Sequence, residues 1–323
     1  MFKYHILGLL LGTVFDFFIG DPRDIWHPIK VIGSWISYLD RFFLGDMPLL
    51  IEKEDKRQMG FLLIVLVCLP VFAVTAFFNI LFYSIWPLLG IIFEAIVTCY
   101  CLAYRSLITE SRAVVEAYFQ GGLESARRAL SMIVGRDTAV LSKDEVIKAT
   151  VETVAENASD GVFAPLFYLF LFGPVGGMIY KAINTMDSMV GYHNDRYEDF
   201  GYYPARLDDI ANFVPSRLTG LLTILTCKLG PGPYSHKNAS YIFLRDRHNH
   251  KSPNSAQSEA AFAGALELQL GGGAYYFGKW VDKPTIGDED RKIELGDVNR
   301  AHILLTHMFW LCQIVLIILW IIF

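Results

Sequence analysis

The sequence predicts an all-α integral membrane protein, and two observations lead to that prediction. Hydrophobic residues make up 53% of the 323 residues, and charged residues make up only 19%. Residues 60–82 contain no charged side chain and are long enough, as a helix, to cross the roughly 30 Å of hydrocarbon in a bilayer. Neither the composition nor such a run is typical of a soluble domain.

Three further apolar stretches are predicted to be membrane helices. Residues 301–323 end in an almost wholly apolar run, and residues 86–104 are interrupted only by Glu94. The N-terminal stretch carries Asp16 and lacks the basic start and the small-residue cleavage site of a signal peptide. We therefore expect it to be a retained membrane segment.

Lysine and arginine predict which loops face the cytoplasm. Most of the 28 basic residues fall in residues 21–59, 105–161, 181–217 and 230–300, and none falls in the turn at 83–87. The positive-inside rule assigns all four charged stretches to the cytoplasm. A full crossing at 162–182 would put the third stretch outside. The apolar run broken at "GPVGG" is therefore predicted to be a re-entrant or half-buried hairpin.

Residues 213–229 are a second candidate for such a partial element. The sequence thus predicts about four spanning helices plus one or two re-entrant or half-buried helical elements. We expect one polytopic membrane domain over residues 1–323, with a cytoplasmic helical segment at 105–161 and cytoplasmic site-forming loops at 183–217 and 230–300. All five cysteines lie in or beside apolar segments without a CxxC pair, which predicts packing residues rather than disulfides or zinc ligands.

The stretch "VETVAENASDG" at residues 151–161 places acidic residues directly before an apolar run. Ser142 and Glu145 have the spacing of a capping box, so a helix is predicted to begin there. On that helix Glu152, Glu156 and Asp160 would share one face, where like charges repel by a few tenths of a kcal/mol. A bound cation would offset the repulsion, and a solvated helix face is the alternative. The preceding residues 110–137 predict two short helices broken at Gly121–Gly122.

Two more polar clusters follow, at residues 184–218 and 245–278. The first is rich in Asp and Asn, which suit Mg²⁺. The second opens with Arg, His and Lys side chains, which suit phosphate groups, with anionic lipid headgroups as the alternative. The run Gly271–Gly273 is a weak signal for a phosphate cradle and is more typical of a flexible turn. No GxxxxGK[ST] or GxGxxG motif occurs, so the standard nucleotide-binding loops are absent from the sequence.

Four segments together resemble the adenosylcobinamide-phosphate synthase family, in matching order between about residues 8 and 280. They are "GDPRDIWHPIKVIG" (20–33), "GRDTAVLSKDEVIKATVETVAENASDGVFAPLFY" (135–168), "KAINTMDSMVGYHNDRYEDFGYYPARLDDIANFVPSRL" (181–218) and "RDRHNHKSPNSAQSEAAFAGALELQLGG" (245–272). Residues 45–59 and 281–300 carry no such signature. The resemblance implies a cytoplasmic-membrane enzyme of late cobalamin biosynthesis. It would use ATP and Mg²⁺ to join the propionate carboxylate of adenosylcobyric acid to (R)-1-amino-2-propanol or its O-phosphate.

The resemblance also implies roles for individual polar residues. The predicted catalytic residues are Glu156, Asp160, Asp195 and His250. The predicted metal ligands are Glu152, Glu156, Asp160 and Asp187. The predicted substrate- or phosphate-binding residues are His27, Asn157, Asn184, Arg206, Asp208, Arg217, Arg245, Lys251 and Asn254. His250 or a spare carboxylate would take the proton of the attacking amine. Partners would be the two substrates and membrane lipid, not nucleic acid. The oligomeric state and association with neighbouring cobalamin-biosynthesis membrane enzymes stay open.

Other functions remain open at this stage. "NTMD" and "HNDRYED" resemble the Asp-rich motifs of Mg²⁺-dependent membrane prenyltransferases, although those proteins have more spanning helices and no counterpart to "HKSPNS". A related class of membrane sensors or regulators would be non-enzymatic. A transporter would account for Asp16 and Glu94 within apolar segments, but not for phosphate-type clusters in the loops.

Overall fold

A computed structural model describes residues 2–20, 27–45, 51–192 and 194–323. In these ranges the chain is helical apart from loops and four short strands. The helices are α1 (Phe2–Phe18), α2 (Pro28–Leu44), α3 (Lys53–Ile85), α4 (Pro87–Cys101), α5 (Tyr104–Leu130), α6 (Lys143–Asn157), α7 (Ala164–Val190), α8 (Tyr202–Leu229), α9 (His236–Asp246), α10 (Ser255–Leu266) and α11 (Gly296–Ile322). The strands are β1 (Leu270–Gly271), β2 (Ala274–Tyr276), β3 (Lys279–Val281) and β4 (Thr285–Ile286).

Five helical stretches within the described residues are long and apolar enough to cross a membrane. They are Lys53–Ile85, Pro87–Leu130, Lys143–Val190, Tyr202–Leu229 and Gly296–Ile322. The 17 residues of α1 are at the short end of what a spanning helix needs. The prediction of an all-α, multi-pass integral membrane protein is therefore confirmed.

The chain divides into two compact units. The first unit comprises Met1–Ala103, Ala164–Asn212 and Ile317–Phe323, and the second comprises Tyr104–Phe163 and Phe213–Leu316. In the first unit α1 to α4 and α7 pack against one another. Helices α1 and α4 are closest at Gly12, where an added Cβ would lie 2.4 Å from the Cβ of Thr98. Because glycine has no Cβ, the two helices can approach each other this closely.

Helix α7 is broken at Gly173, which has φ of +64° and precedes Pro174. The break lies where "GPVGG" predicted it, and a left-handed glycine followed by proline is its physical cause. Near this break the buried Glu94 accepts a hydrogen bond from the hydroxyl of Tyr83, at 2.7 Å, and contacts Nδ1 of His5. Nε2 of His5 lies 3.0 Å from the carbonyl oxygen of Phe170. Glu94, isolated in the sequence, is thus hydrogen-bonded rather than exposed to lipid.

In the second unit both sequence signals at α5 and α6 are confirmed. Helix α5 leaves helical geometry at Gly121 and Gly122. At the start of α6 the side chain of Ser142 accepts a hydrogen bond from the backbone N–H of Glu145, and the Glu145 carboxylate accepts one from the N–H of Ser142. Helices α5 and α6 bury an apolar cluster between them, formed by Val114, Ala126, Leu130, Leu141, Val146 and Ala149.

Residues Ala158–Phe163, directly after α6, form a π-helical segment. A π-helical turn takes more residues than an α-helical turn, so it changes the direction in which later side chains point. Glu152 and Glu156 lie on α6 itself, whereas Asp160 lies in the π-helical segment. The predicted acidic stripe is therefore regular for its first two members only.

The rest of the second unit is built around α10. All twelve residues of α10 are buried, and the helix packs against α6 and α9. The four strands form two small antiparallel sheets, β1 with β4 and β2 with β3. In the first sheet Gly271 is paired with Thr285. This pairing holds the Gly271–Gly273 run beside α6.

The capping box gives a prediction about stability. We expect Ser142→Ala to lower the free energy of unfolding by about 1 kcal/mol, because the N–H of Glu145 loses its side-chain acceptor. Denaturant unfolding of the purified protein in detergent, followed by circular dichroism, measures the change. Ser131→Ala, at an exposed serine after α5, is the matched control. Equal effects of the two substitutions would show that the cap contributes nothing specific.

Candidate active site

A cavity of about 250 Å³ lies within the second unit. Residues from α6, α10, the strands and the loops before α6 and α10 line it. Seven of the lining side chains are titratable, namely Arg136, Glu152, Glu156, His250, Glu259, Tyr276 and Lys283. These residues are far apart in sequence, so it is the fold of this unit that places them around one space.

Glu152 connects three parts of the cavity wall. Its Oε2 accepts a hydrogen bond from Nη2 of Arg136 at 2.6 Å, and its Oε1 accepts one from the backbone N–H of Gly271, also at 2.6 Å. The Glu152 side chain is 6% exposed and that of Arg136 is 19% exposed. Removal of either partner would leave the charge of the other buried and uncompensated. The ion pair is therefore part of the cavity wall.

The glycine turn beside Glu152 has a backbone that other residues rarely adopt. Gly271 has φ of +70° and Gly272 has φ of +89°. A Cβ at position 271 would lie 2.6 Å from the carbonyl oxygen of Pro284. Glycine therefore lets the backbone N–H of residue 271 approach the Glu152 carboxylate, and both glycines line the cavity.

Glu156 stands one turn after Glu152 on α6 and also lines the cavity. Its Oε1 accepts a hydrogen bond from the hydroxyl of Ser255, the first residue of α10, at 3.0 Å. This contact joins the end of α6 to the beginning of α10. The positive end of the α10 dipole favours a negative charge at that position.

Glu259 is a buried acid on α10. Burial, followed by repulsion from Glu156 and Glu152, raises the pKa of Glu259 well above its ordinary value. A raised pKa favours the protonated carboxyl group, which can donate a hydrogen bond. A neutral acid between two carboxylates resembles an arrangement in which acid and base roles are divided.

His250 faces the same set of charges. Burial lowers the pKa of His250 below its ordinary value, against the attraction of Glu156, and Lys283 lowers this pKa further. Nδ1 of His250 accepts a hydrogen bond from the backbone N–H of Ser252 at 3.0 Å. A neutral imidazole with this acceptor carries its proton on Nε2. His250 is thus arranged as a hydrogen-bond donor, and its predicted role as a base stays a prediction.

Two cations balance the carboxylates. Burial works against the charge of Arg136, but the attraction of Glu152, followed by smaller effects of Tyr276 and Glu259, raises its pKa. Nζ of Lys283 donates a hydrogen bond to the hydroxyl of Tyr276 at 2.7 Å. Glu152 and Glu156 thus share the cavity with two cations. The two cations are balanced by carboxylates, so a dianion would bind well only together with additional positive charge. A cation would be attracted by the carboxylates.

The donors suit a magnesium–phosphate complex better than a metal held by protein alone. Among the described residues, no three His, Cys, Asp or Glu side chains are arranged to hold one ion. Mg²⁺ is usually bound by one or two carboxylates, waters and the oxygens of a phosphate. Glu156 and Glu152 provide such carboxylates, and their lone pairs are not all used by the bonds above.

Sequence comparison places this site in a known family. The profile described as "CobD/Cbib protein" matches residues 9–305. The chain belongs to the CobD/Cbib family. It is 40% identical over 314 residues to the "Cobalamin biosynthesis protein CobD" of Clostridium perfringens, covering 97% of this chain and 98% of that protein.

Other relatives with the same name give similar values. The protein of Geobacter metallireducens is 47% identical over 281 residues, covering 87% of this chain and 86% of that protein. The protein of Citrobacter koseri is 42% identical over 297 residues, with 92% and 91% covered. No solved structure matched the chain. The resemblance recognised in the four motifs is thereby confirmed at the level of the family.

In this CobD/Cbib chain, three predicted site residues besides Glu156 line the cavity: Glu152, Asn157 and His250. Asn157 donates a hydrogen bond from Nδ2 to the carbonyl oxygen of Thr153 at 3.0 Å. Asp160 is half-buried in the π-helical segment and does not line the cavity. Its predicted roles as catalytic residue and metal ligand stay predictions.

Four other predicted residues lie elsewhere in the second unit. Arg217 donates a hydrogen bond to Asn254, which is buried at the N-cap of α10. Arg245 forms ion pairs with Asp246, at 2.7 Å, and Asp288, at 2.9 Å. Lys251 is exposed. None of these four lines the cavity, so their role in binding phosphate stays a prediction.

The remaining predicted residues belong to the first unit. His27 caps α2, where its Nδ1 accepts a hydrogen bond from the N–H of Ile29. Asp195 and Arg206 are exposed, and Asp187 is half-buried on α7. The other two residues, Asn184 and Asp208, belong to one hydrogen-bonded chain. Asp208 accepts hydrogen bonds from Asn184 at 3.4 Å and from Asn212 at 3.0 Å. Tyr180 in turn donates a hydrogen bond to Asn212 at 2.8 Å.

Sequence reasoning missed Glu259, Arg136, Lys283 and Tyr276. A sequence signal exists for Glu259, which is the only charged residue in the Ala- and Gly-rich stretch 255–266. A charge in a stretch with the composition of a buried helix indicates a functional or paired group. No local pattern marks the other three, because their partners are distant in sequence.

The neutral state of Glu259 gives a prediction with a definite sign. A raised pKa in the folded state means that ionisation opposes folding increasingly as pH rises above the unfolded carboxyl pKa, about 4.3. Glu259→Gln removes this penalty. We expect its stability relative to that of the wild type to increase from pH 5 to pH 8. The difference should grow by up to about 1.4 kcal/mol per pH unit.

Thermal unfolding in detergent with EDTA, at pH 5 to 8, measures this difference. Glu267→Gln, at an exposed position just after α10, is the matched control and should show no such pH dependence. A Glu259→Gln protein that is destabilised equally at both pH values would show that the acid is ionised in the native protein.

Proposed function

We propose that this CobD/Cbib protein acts in cobalamin biosynthesis as an ATP- and Mg²⁺-dependent amide synthase. It joins the propionate carboxylate of adenosylcobyric acid to the amine of (R)-1-amino-2-propanol O-2-phosphate, or of (R)-1-amino-2-propanol. With the phosphorylated amine the product is adenosylcobinamide phosphate. Support comes from the names of the relatives and from the four motifs that resemble the adenosylcobinamide-phosphate synthase family.

The observation that carries this proposal is the charge arrangement of the cavity. Two glutamates, two cations and a buried acid with a raised pKa line one space of about 250 Å³. Such a mixture suits a reaction in which a phosphoryl group, a carboxylate and an amine meet. An apolar substrate such as a prenyl chain would find few apolar contacts among the seven titratable side chains of the cavity.

The reaction needs an activated carboxylate, since an ionised carboxylate is a poor acylating agent. Transfer of the γ-phosphoryl group of ATP to the propionate gives an acyl phosphate and ADP. Attack by the amine then forms the amide bond and releases inorganic phosphate. Positioning and charge neutralisation dominate such transfers. In the cavity Arg136 and Lys283 are the cations that can stabilise phosphate oxygens.

Proton transfer is assigned to the carboxylates. The attacking amine must lose a proton as the amide forms. Glu156 can take it, because its carboxylate accepts a hydrogen bond from a hydroxyl group and not from a cation. Glu152 is less suited, because both of its oxygens already accept hydrogen bonds from Arg136 and Gly271. Glu259, being neutral, can donate a proton or a hydrogen bond to a developing oxyanion.

Magnesium fits this donor set as a partner of the nucleotide. Glu156, with Glu152 beside it, would hold the ion, and the phosphates would supply the remaining oxygens. When bound, Mg²⁺ would neutralise charge on the transferred phosphoryl group. Asp160 and Asp187 stay predicted ligands.

The cavity is too small for a corrin macrocycle. A space of about 250 Å³ admits a side chain or part of a nucleotide, but not a ring system of that size. The corrinoid would therefore enter with its propionate arm only, and its ring would bind outside the cavity.

Glu156→Gln tests the proposed function. We expect kcat to fall by at least about a hundredfold, because a neutral amide neither takes the proton nor holds the ion. The measurement is release of ADP by purified protein in detergent that depends on both adenosylcobyric acid and the amine. Glu124→Gln, on the exposed face of α5, is the matched control. Wild-type protein that releases no ADP with either amine, or a fully active Glu156→Gln protein, would contradict the proposal.

We also propose that the protein lies in the cytoplasmic membrane with this site facing the cytoplasm. The distribution of Lys and Arg supports this orientation. Ser131→Cys and Lys251→Cys place thiols at two exposed positions of the second unit, in a protein whose five native cysteines have been replaced. Both should resist an impermeant thiol reagent in intact cells and react after lysis. Labelling of either position in intact cells would reverse the orientation.

A further inference from the structure

A second group of charges in the second unit lies outside the cavity, at the N-terminal end of α10. Helix α8 approaches α9 and α10 closely at Gly220. A Cβ at this position would lie 2.4 Å from Cε2 of Phe243 and 2.7 Å from the carbonyl oxygen of Gln257. One turn earlier on α8, Arg217 thereby reaches Asn254, the N-cap of α10.

Arg217 has no acidic partner among the described residues. A single nitrogen, Nη1, makes all of its hydrogen bonds, and the acceptors are the carbonyl of Phe213 at 2.6 Å, Asn254 at 3.2 Å and Ser216 at 3.5 Å. The guanidinium group lies 3.6 Å from the centre of the Phe213 ring. Its other nitrogens, Nε and Nη2, make no hydrogen bond within the described chain. Stacking orients the fork and leaves these donors for a ligand.

Arg247, the C-cap residue of α9, lies beside it. Its Nε is buried and has no hydrogen-bond partner, and its guanidinium lies 5.4 Å from the centre of the Phe243 ring. Arg247 is close enough to Arg217 for the two like charges to repel. No carboxylate of the described residues pairs with either group. By contrast, Arg136, Arg245 and Arg291 each form an ion pair.

The end of α10 adds further positive potential. Helix α10 is 12 residues long, its first turn contains no acidic residue, and the Asn254 side chain makes no capping hydrogen bond. The first N–H groups of such a helix and its dipole favour an anion. Two arginines held together without a carboxylate, one of them with a buried unpaired donor, cost free energy that an anion would offset.

We propose that Arg217, Arg247 and the N-terminus of α10 form a binding site for a phosphate group. Phosphate fits better than a carboxylate, because its three free oxygens and its charge of nearly two match two guanidinium forks. The same chemistry could be presented by a small phosphorylated molecule or by a lipid headgroup, since α8 exposes apolar Phe213, Val214 and Leu218 next to Arg217.

The position of this site connects it with the cavity. Ser255, the first residue of α10, donates its hydroxyl to Glu156, while the preceding Asn254 accepts from Arg217. A phosphate at the arginines and a substrate group at Glu156 would therefore bind on either side of one helix end. That this phosphate belongs to the phosphorylated amine rests on the proposed function. The binding of a phosphate group does not.

Phosphate binding can be tested without ATP, Mg²⁺ or a corrinoid. Full-length protein in dodecyl maltoside is unfolded by heat while phosphate replaces chloride at constant ionic strength. We expect phosphate to raise the Tm of the wild type saturably. Arg217→Gln and Arg247→Gln should each weaken the apparent affinity by at least about tenfold. Arg128→Gln, an exposed arginine on α5, is the matched control and should bind like the wild type.

A second titration distinguishes the source of the phosphate. Phosphatidic acid is compared with phosphatidylcholine in mixed micelles. Stabilisation by phosphatidic acid but not by inorganic phosphate, lost in both glutamine variants, identifies a lipid headgroup site. Stabilisation by inorganic phosphate identifies a site for a soluble phosphate. Both results support the proposal.

Two results would overturn it. One is an effect of phosphate and phosphatidic acid that is the same in the wild type, both glutamine variants and the Arg128→Gln control. The other is no effect of either ligand on the wild type. Where a glutamine variant does not fold, Arg217→Lys and Arg247→Lys keep the charge but lose the fork, and they should still weaken binding several-fold. An inactive synthase that binds phosphate would contradict only the proposed function.

Discussion

The ion pair of Glu152 with Arg136 is the interaction on which the second unit's cavity depends. One carboxylate holds a guanidinium from the loop before α6 and a backbone N–H from the glycine turn before β2. Without Glu152 the buried guanidinium would lack its charge partner, and the glycine turn would lose the acceptor that keeps it beside α6. A buried pair of this kind contributes specificity of arrangement more than net stability. Here the arrangement is the cavity wall.

The cavity concentrates three glutamates, and electrostatics then decides how they differ. Glu152 is paired with a cation, Glu156 receives a hydroxyl, and Glu259 has neither of these contacts. Burial, followed by repulsion from Glu156 and Glu152, raises the pKa of Glu259, so the three glutamates lie in three different environments. A site with an ion-paired carboxylate, an ionised base and a neutral acid can hold charge, accept a proton and donate a hydrogen bond within one small space.

Much of the fold was predictable because its signals are local. The uncharged run of α3, the capping box at Ser142 and the glycines at positions 121, 122 and 173 each act within a few residues. The site was predictable only in part. The π-helical segment separates Asp160 from Glu156, and the partner of Arg245 at Asp288 lies 43 residues away. Long-range pairing decides which polar residues remain available to a ligand, and periodicity contains no information about it.

The beginning of α10 shows how one structural element can serve two kinds of charge. Its dipole favours negative groups, and the ionised Glu156 at Ser255 already satisfies that preference on one side. On the other side Arg217 and Arg247 place two positive charges against the same helix end, which the dipole disfavours. That conflict is removed when an anion lies between the arginines and the helix. The cost of holding the two arginines together is therefore the physical reason for expecting a ligand there, since no acidic side chain of the described residues pairs with either of them.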